Sequence, residues 1–117
     1  MASGIKGQEK PSGGTPTFAT SELFKATTTT TVILSCSNIT ATADPIFVAL
    51  IDGATATSNS GGMPTGAITD KHWIENGYSL AANSTLERTG IVMETDACLI
   101  VGSTNGAVSF SVYGLES

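Results

Sequence analysis

The chain has 117 residues, a formal net charge of −5 and 13% charged residues, whereas an ordinary domain has about 25%. Small polar residues fill the gap, with 18 Thr and 13 Ser. This composition excludes a helical bundle, which needs many charged helix formers, and a disordered chain, which has few apolar residues. It also excludes a nucleic-acid-binding protein, which needs clustered cations. Neither a membrane span nor a secretory signal is predicted, because no run of about 18 apolar residues occurs and no apolar segment follows Met1.

The chain is short enough for one domain. Residues 1–16 are rich in Gly, Ser and Pro and carry one isolated Ile, which predicts a flexible, extended N-terminal arm. The arm is either a free tail or a segment that orders against a neighbouring subunit. Residues 17–117 are predicted to form the folded domain, with a long loop at 53–70 where no hydrophobic period is visible.

Two strands are predicted in the first half of the domain. Residues 26–36 contain five consecutive Thr, at 27–31, which are β-branched and favour an extended chain. Residues 45–52 are apolar at both odd and even positions. Such a strand should be covered on both faces, by a second sheet or by another subunit.

Turn signals divide the second half. Asn76–Gly77 predicts a tight hairpin between two short strands over 71–80. Further turns are predicted at Ala82–Asn83 and at Glu94–Asp96, the second before a strand over 97–102. Thr104–Gly106 predicts the last hairpin.

The last strand alternates in character. Val108, Phe110 and Val112 should point to the core, opposite Ser109, Ser111 and Tyr113. Seven or eight short strands at this spacing predict an all-β fold, a small antiparallel β-sandwich. The spacing leaves jelly-roll and immunoglobulin-like topologies open, although an immunoglobulin Trp is not found soon after the first Cys.

The two cysteines, Cys36 and Cys98, each lie in an apolar strand pattern. The favoured interpretation is two reduced core residues, because free Cys is commonly buried. A disulfide between two sheets is the alternative if the protein is exported.

No catalytic, cofactor-binding or metal-ligating set is predicted. The one histidine, His72, has no Ser or Cys partner that a motif singles out. Four aspartates near loops do not fit the spacing of a calcium loop: Asp44, Asp52, Asp70 and Asp96. The N-glycosylation sequons at Asn38 and Asn83 are weak evidence of glycosylation, because such sequons arise by chance in a chain so rich in Thr and Ser. The protein is therefore predicted not to be an enzyme and to need no cofactor.

The candidate functional residues are apolar and cationic side chains that could meet a partner. Those in the arm region are Ile5, Lys6, Lys10 and Phe18. Those in and after the long loop are Met63, Pro64, Ile68, Trp73 and Tyr78. The loop residues either pack over the protein's own core or contact a subunit or a stacked ligand such as a sugar.

A resemblance covers about residues 24–117. A Thr-rich strand leads into an apolar one in FKATTTTTVILSCSNITATADPIFVALID (24–52). The phrases LAANSTLERTGIVM (80–93) and DACLIVGSTNGAVSFSVYGLE (96–116) follow. The chain resembles small virion structural proteins of tailed bacteriophages, especially cyanophages. The arm over 1–23 and the loop over 53–70 depart from that pattern.

The resemblance implies a non-enzymatic capsid decoration or cement protein, made in the cytoplasm of the bacterial host and placed on the capsid surface of the virion. It would bridge major capsid protein subunits and stabilise the head. A homo-oligomer is expected, with a trimer favoured over a dimer, and neither nucleic acid nor membrane as a partner. The alternative is a tail, neck or fibre module that binds host surface glycan.

Overall fold

The computed structural model describes residues 3–14, 22–53 and 72–116, and over these ranges it contains eight strands in two antiparallel four-stranded sheets. The strands are β1 (Ser3–Glu9), β2 (Glu22–Lys25), β3 (Thr30–Asn38), β4 (Asp44–Ile51), β5 (Trp73–Leu80), β6 (Thr85–Met93), β7 (Cys98–Ser103) and β8 (Val108–Glu116). Sheet A has the order β1-β8-β3-β6, and sheet B has the order β2-β7-β4-β5. The predicted all-β sandwich is confirmed.

The strand order distinguishes between the two topologies that the sequence left open. β1 pairs with β8, β2 with β7, β3 with β6 and β4 with β5, as in one long hairpin rolled around itself. The additional pairs β3–β8 and β4–β7 complete the two sheets. This is the double Greek-key order of a jelly roll, an architecture found in viral capsid and lectin domains.

The core lies between the sheets and follows the alternation of the strands. Val32 and Leu34 of β3 point into this layer from sheet A, beside Val108, Phe110 and Val112 of the neighbouring strand β8, and all five are fully buried. The predicted division of β8 into a core face and an outer face is confirmed. Each such side chain contributes about 1.5–3 kcal/mol through the area it removes from water.

β4 is buried on both faces, as its two-sided apolar pattern predicts. Ile46 and Val48 belong to the main core, whereas Ala49 and Ile51 belong to a second cluster on the outer face of sheet B. That cluster also contains Cys98 and Ile100, and Trp73 packs against it.

The predicted boundary between a free arm and the domain is wrong over residues 3–9. These residues are extended, but they form the edge strand β1, with Ile5 opposite Tyr113 and Gln8 opposite Ser111 of β8. Composition measures what side chains can bury, whereas β1 is held by backbone pairing with a strand far away in sequence. Polar and Gly-rich residues are common at a sheet edge.

The predicted hairpin at Asn76–Gly77 is also wrong, because β5 runs through both residues. Phe47 of β4 faces Asn76 and Ile46 faces Tyr78, so Gly77 is an extra residue in β5. Gly77 has a φ of 83°. A β-bulge needs the same left-handed glycine that a tight turn needs, so the dipeptide alone did not distinguish them.

The predicted last hairpin is a connection between the sheets. β7 pairs with β2 and β4 in sheet B, whereas β8 pairs with β1 and β3 in sheet A. Thr104–Gly106 therefore crosses from one sheet to the other. The turns predicted at Ala82–Asn83 and Glu94–Asp96 are confirmed, with φ of 57° at Asn83 and 71° at Asp96, and they too connect different sheets.

Asn38, the asparagine of the first sequon, holds parts of the fold together through its side-chain amide. Asn38 is buried, and its Nδ2 donates to the carbonyl oxygens of Thr42 at 2.9 Å and Leu80 at 3.0 Å. Its Oδ1 accepts from the backbone N–H of Thr40 at 3.0 Å. These contacts use the amide within the fold, where it joins the β3–β4 connection to the end of β5.

The two cysteines are buried free thiols on different faces, which confirms the favoured interpretation. Cys36 lies in the main core. Cys98 lies in the outer cluster of sheet B, and its thiol donates to Glu22 Oε1 at 3.1 Å. The pKa of each thiol is raised from 9.0 to about 12, mainly by burial for Cys36, and by burial together with the hydrogen bond to Glu22 for Cys98.

We expect both thiols to be unreactive toward a disulfide reagent in the native protein and fully reactive after denaturation, because burial disfavours the thiolate. Their raised pKa values stabilise the fold below pH 9.0, and this contribution is lost as pH rises toward about 12. Thiol titration with and without denaturant, and unfolding curves at increasing pH, measure both effects. Rapid labelling of either native thiol at neutral pH would contradict the burial.

Candidate functional site

The outer surface of sheet A brings apolar side chains from all four of its strands together. The register aligns Ser3, Leu115, Thr31 and Val92 in one row across β1, β8, β3 and β6. The next row contains Ile5, Tyr113 and Ile33. In β3, β6 and β8 the alternate residues, such as Val32, Ile91 and Val112, are in the core, so the two rows lie on the opposite face of the sheet. We define face A as Ile5, Thr31, Ile33, Val92, Tyr113 and Leu115.

Face A is unusually apolar for a surface. Ile5 is 67% exposed, Val92 60% and Leu115 49%. These are three of the five exposed large hydrophobic residues in the described part of the chain. Single apolar residues on a surface need no explanation, whereas large contiguous apolar patches are typical of interaction sites, so face A is the candidate site.

The rest of the same surface is polar but nearly uncharged. Ser35 faces Ser111, and Ser37 faces both Ser109 and Thr85. The hydroxyl oxygens of Ser37 and Thr85 are 3.1 Å apart. This hydroxyl-rich half continues face A toward the other end of the sheet.

Glu87 is the charged side chain that the register places on this outer surface, within the described residues. The Tyr113 hydroxyl donates to Glu87 Oε2 at 3.1 Å. This hydrogen bond to a carboxylate, followed by partial burial and the negative charge, raises the pKa of Tyr113. The Glu87 carboxylate is therefore hydrogen-bonded to the neutral phenol of Tyr113, at the edge of face A.

The predicted arm residues have separate positions in the structure. Ile5 belongs to face A. Lys6 forms an ion pair with Glu116, with Nζ and Oε2 2.9 Å apart, and Lys10 Nζ donates to the Gly106 carbonyl at 2.6 Å. These two cations thus bind the protein's own chain. Phe18 lies outside the described residues.

The predicted loop residues are not brought together within the described part. Met63, Pro64 and Ile68 lie outside it. Trp73 packs against the outer cluster of sheet B, with its ring centroid 6.1 Å from that of Phe47. Tyr78 is exposed on the edge strand β5.

A cavity of about 350 Å³ lies at the end of the sandwich where β4 ends and β7 begins. Its lining residues are Leu50, Asp52, His72, Val92, Glu94 and Ala97. His72 is buried, and its Nε2 is 3.5 Å from Asp52 Oδ1. Among residues 3–14, 22–53 and 72–116, no three His, Cys, Asp or Glu side chains lie close enough to hold a metal ion.

Sequence reasoning identified Ile5 but missed Ile33, Val92, Tyr113 and Leu115. A signal was present, since each occupies an outward position of an alternating strand where a polar residue is expected. Recognising that they form one surface required the pairing of β6, β3 and β8, which are distant in sequence.

No protein-family model matches the chain, and no curated protein or solved structure matches it either. Within the described residues, no helix has the length and apolar character needed to cross a membrane. The chain is accordingly described by its own structure. The strand order is that of a jelly-roll β-sandwich, and the candidate site is the apolar surface face A.

Proposed function

We propose that the protein is a non-enzymatic structural component of a tailed-phage virion, a decoration or cement protein that binds the capsid shell. The class comes from the resemblance of residues 24–117 to such proteins. Face A is the observation that carries the proposal, because it is a surface that a partner subunit would cover. The jelly roll supports it only by analogy, since one fold serves many functions.

The character of face A fits a role in assembly. The cores of protein interfaces are depleted in charge and enriched in aromatic residues, and face A combines Tyr113 with four aliphatic residues. A protein that contacts two or more major capsid subunits gains affinity from the high effective concentration that follows its first contact. Weak contacts repeated over a shell would thereby stabilise the head.

The alternative, a tail or fibre module that binds glycan, depends mainly on Trp73 as a stacking platform. Trp73 is half-buried against Ala49, Ile51, Cys98 and Ile100. Part of its indole ring therefore serves the fold. We therefore favour the shell-binding role over the glycan-binding one.

Adding the purified protein to heads that lack it tests the proposal. We expect saturable binding and a higher temperature of head rupture, because each bound copy would link capsid subunits. Heads already saturated with the protein serve as the control and should show no further rise. An absence of binding, together with an unchanged rupture temperature, would refute the cement function.

A further inference from the structure

We propose that the subunit covering face A is a second copy of this chain, packed sheet against sheet around a two-fold axis. This inference rests on the proposed function only in treating face A as an assembly surface. It adds the identity of the partner and the geometry of the contact.

The size of sheet A is sufficient for such a contact. Three of its four strands have nine residues, and β1 has seven. With a rise of about 3.3 Å per residue and strands about 4.8 Å apart, the sheet covers roughly 550 Å² of plane. Two copies whose sheets overlap completely, including the hydroxyl-rich half, would bury about 1,100 Å² in total, close to the roughly 1,000 Å² that a specific interface needs.

The edges of sheet A are poorly suited to association, which leaves the face. β1 has a register shift between Ile5 and Gly7. β6 is bulged opposite Val32–Leu34, and Gly90 in this bulge has a φ of 70°. Bulged edge strands do not present the regular row of N–H and C=O groups that pairing with another chain requires.

Charge favours the same surface for self-association. Two copies, each with a net charge of −5, repel one another, and the repulsion is smallest where the opposed surfaces carry few charges. The outer surface of sheet A carries Glu87 at its margin and apolar rows at one end. A two-fold axis through face A places the apolar rows of one copy on those of the other.

The symmetry of this contact specifies the number of copies. A face that packs on itself forms an isologous interface, which closes at two subunits. A trimer would instead need a heterologous contact between two different surfaces. The geometry thus points to a dimer rather than the trimer that the resemblance implies.

Sedimentation velocity of the full chain over a wide range of concentration tests the inference. Val92→Lys and Leu115→Lys place cations in face A. Ile39→Lys is the matched control, because Ile39 is 59% exposed, close to the 60% of Val92, but lies in the β3–β4 connection. We expect a dimer for the wild type and for Ile39→Lys. Each face A variant should raise the dissociation constant roughly 100-fold, because the two-fold axis places its substitution twice in the interface.

Circular dichroism establishes that each variant is folded, and Leu115→Lys tests the same surface if Val92→Lys is not. A wild-type monomer or trimer, or equal dissociation by all three variants, overturns the inference. A wild-type monomer that still binds heads would refute the second copy and leave the proposed function intact. A dimer sensitive to Val92→Lys that does not bind heads would support the inference and refute the proposed function.

Discussion

Replacing Asp44 with Ala is expected to lower the free energy of unfolding by about 3–5 kcal/mol. Asp44 is fully buried at the start of β4. Its Oδ1 accepts from the backbone N–H of Asn105 at 2.9 Å, and its Oδ2 accepts from that of Ala107 at 3.0 Å. Alanine would remove two charge-assisted hydrogen bonds and leave both donors without their acceptor.

The position of Asp44 makes this effect larger than that of an ordinary polar substitution. Thr104 N–H donates to the Pro45 carbonyl at 3.0 Å, so two consecutive residues, Asp44 and Pro45, hold the connection from sheet B to sheet A. This connection determines where β8, the central strand beside β3, begins. Losing it would loosen both sheets.

Urea unfolding followed by tryptophan fluorescence or circular dichroism measures the Asp44 effect. Asp44→Asn retains one carbonyl acceptor, so its loss should be intermediate. Glu9→Ala removes the same charge from an exposed position in β1 and should change the free energy of unfolding by less than about 0.5 kcal/mol. An Asp44→Ala protein as stable as Glu9→Ala would disprove the role of the carboxylate.

Replacing Arg88 with Ala is expected to cost about 2–4 kcal/mol, because it leaves the buried carboxylate of Glu75 without its cation. Arg88 Nη2 forms an ion pair with Glu75 Oε2. Arg88 lies in β6 at the edge of sheet A, and Glu75 lies in β5 in sheet B. The pair therefore closes one side of the sandwich. The partial exposure of Arg88 places the effect below that of a fully buried pair.

A double-mutant cycle isolates this contact. Arg88→Met with Glu75→Leu removes both charges and retains apolar volume, so we expect the double variant to recover much of the stability lost by Arg88→Met alone. Equilibrium unfolding of the four proteins gives the coupling free energy. Additive single effects would show that the ion pair does not join the sheets.

The strands were predictable where side-chain alternation or a two-sided apolar run identified them. β8 alternates between buried and outward residues from Val108 to Tyr113, and β4 is apolar on both faces, so their burial followed from local sequence. The sequence did not predict whether a connection leads to the next strand of the same sheet or to a strand of the other sheet. Thr104–Gly106 has turn chemistry in either a hairpin or a crossover, and the Asp44 contact that makes it a crossover comes from residues about 60 positions earlier.

The candidate site was predicted only in part. The stretch from Cys98 to Gly114 contains no charged residue, a composition typical of β surface that other subunits cover, and face A includes Tyr113 from that stretch. The long loop and Trp73 were predicted as a site because their apolar and aromatic residues lie close together in the sequence. Val92 and Leu115 lie on one surface because both pair with Thr31 of β3, and this pairing is not apparent from the sequence.

A cryo-electron microscopy reconstruction of the intact virion tests most directly whether this jelly roll is a shell protein whose sheet A is covered. We expect eight-stranded density on the outside of the head, with Val92 and Leu115 buried against another subunit. Density for the protein confined to the tail or neck would contradict the shell assignment. Density on the head with face A open to solvent would contradict its role in assembly.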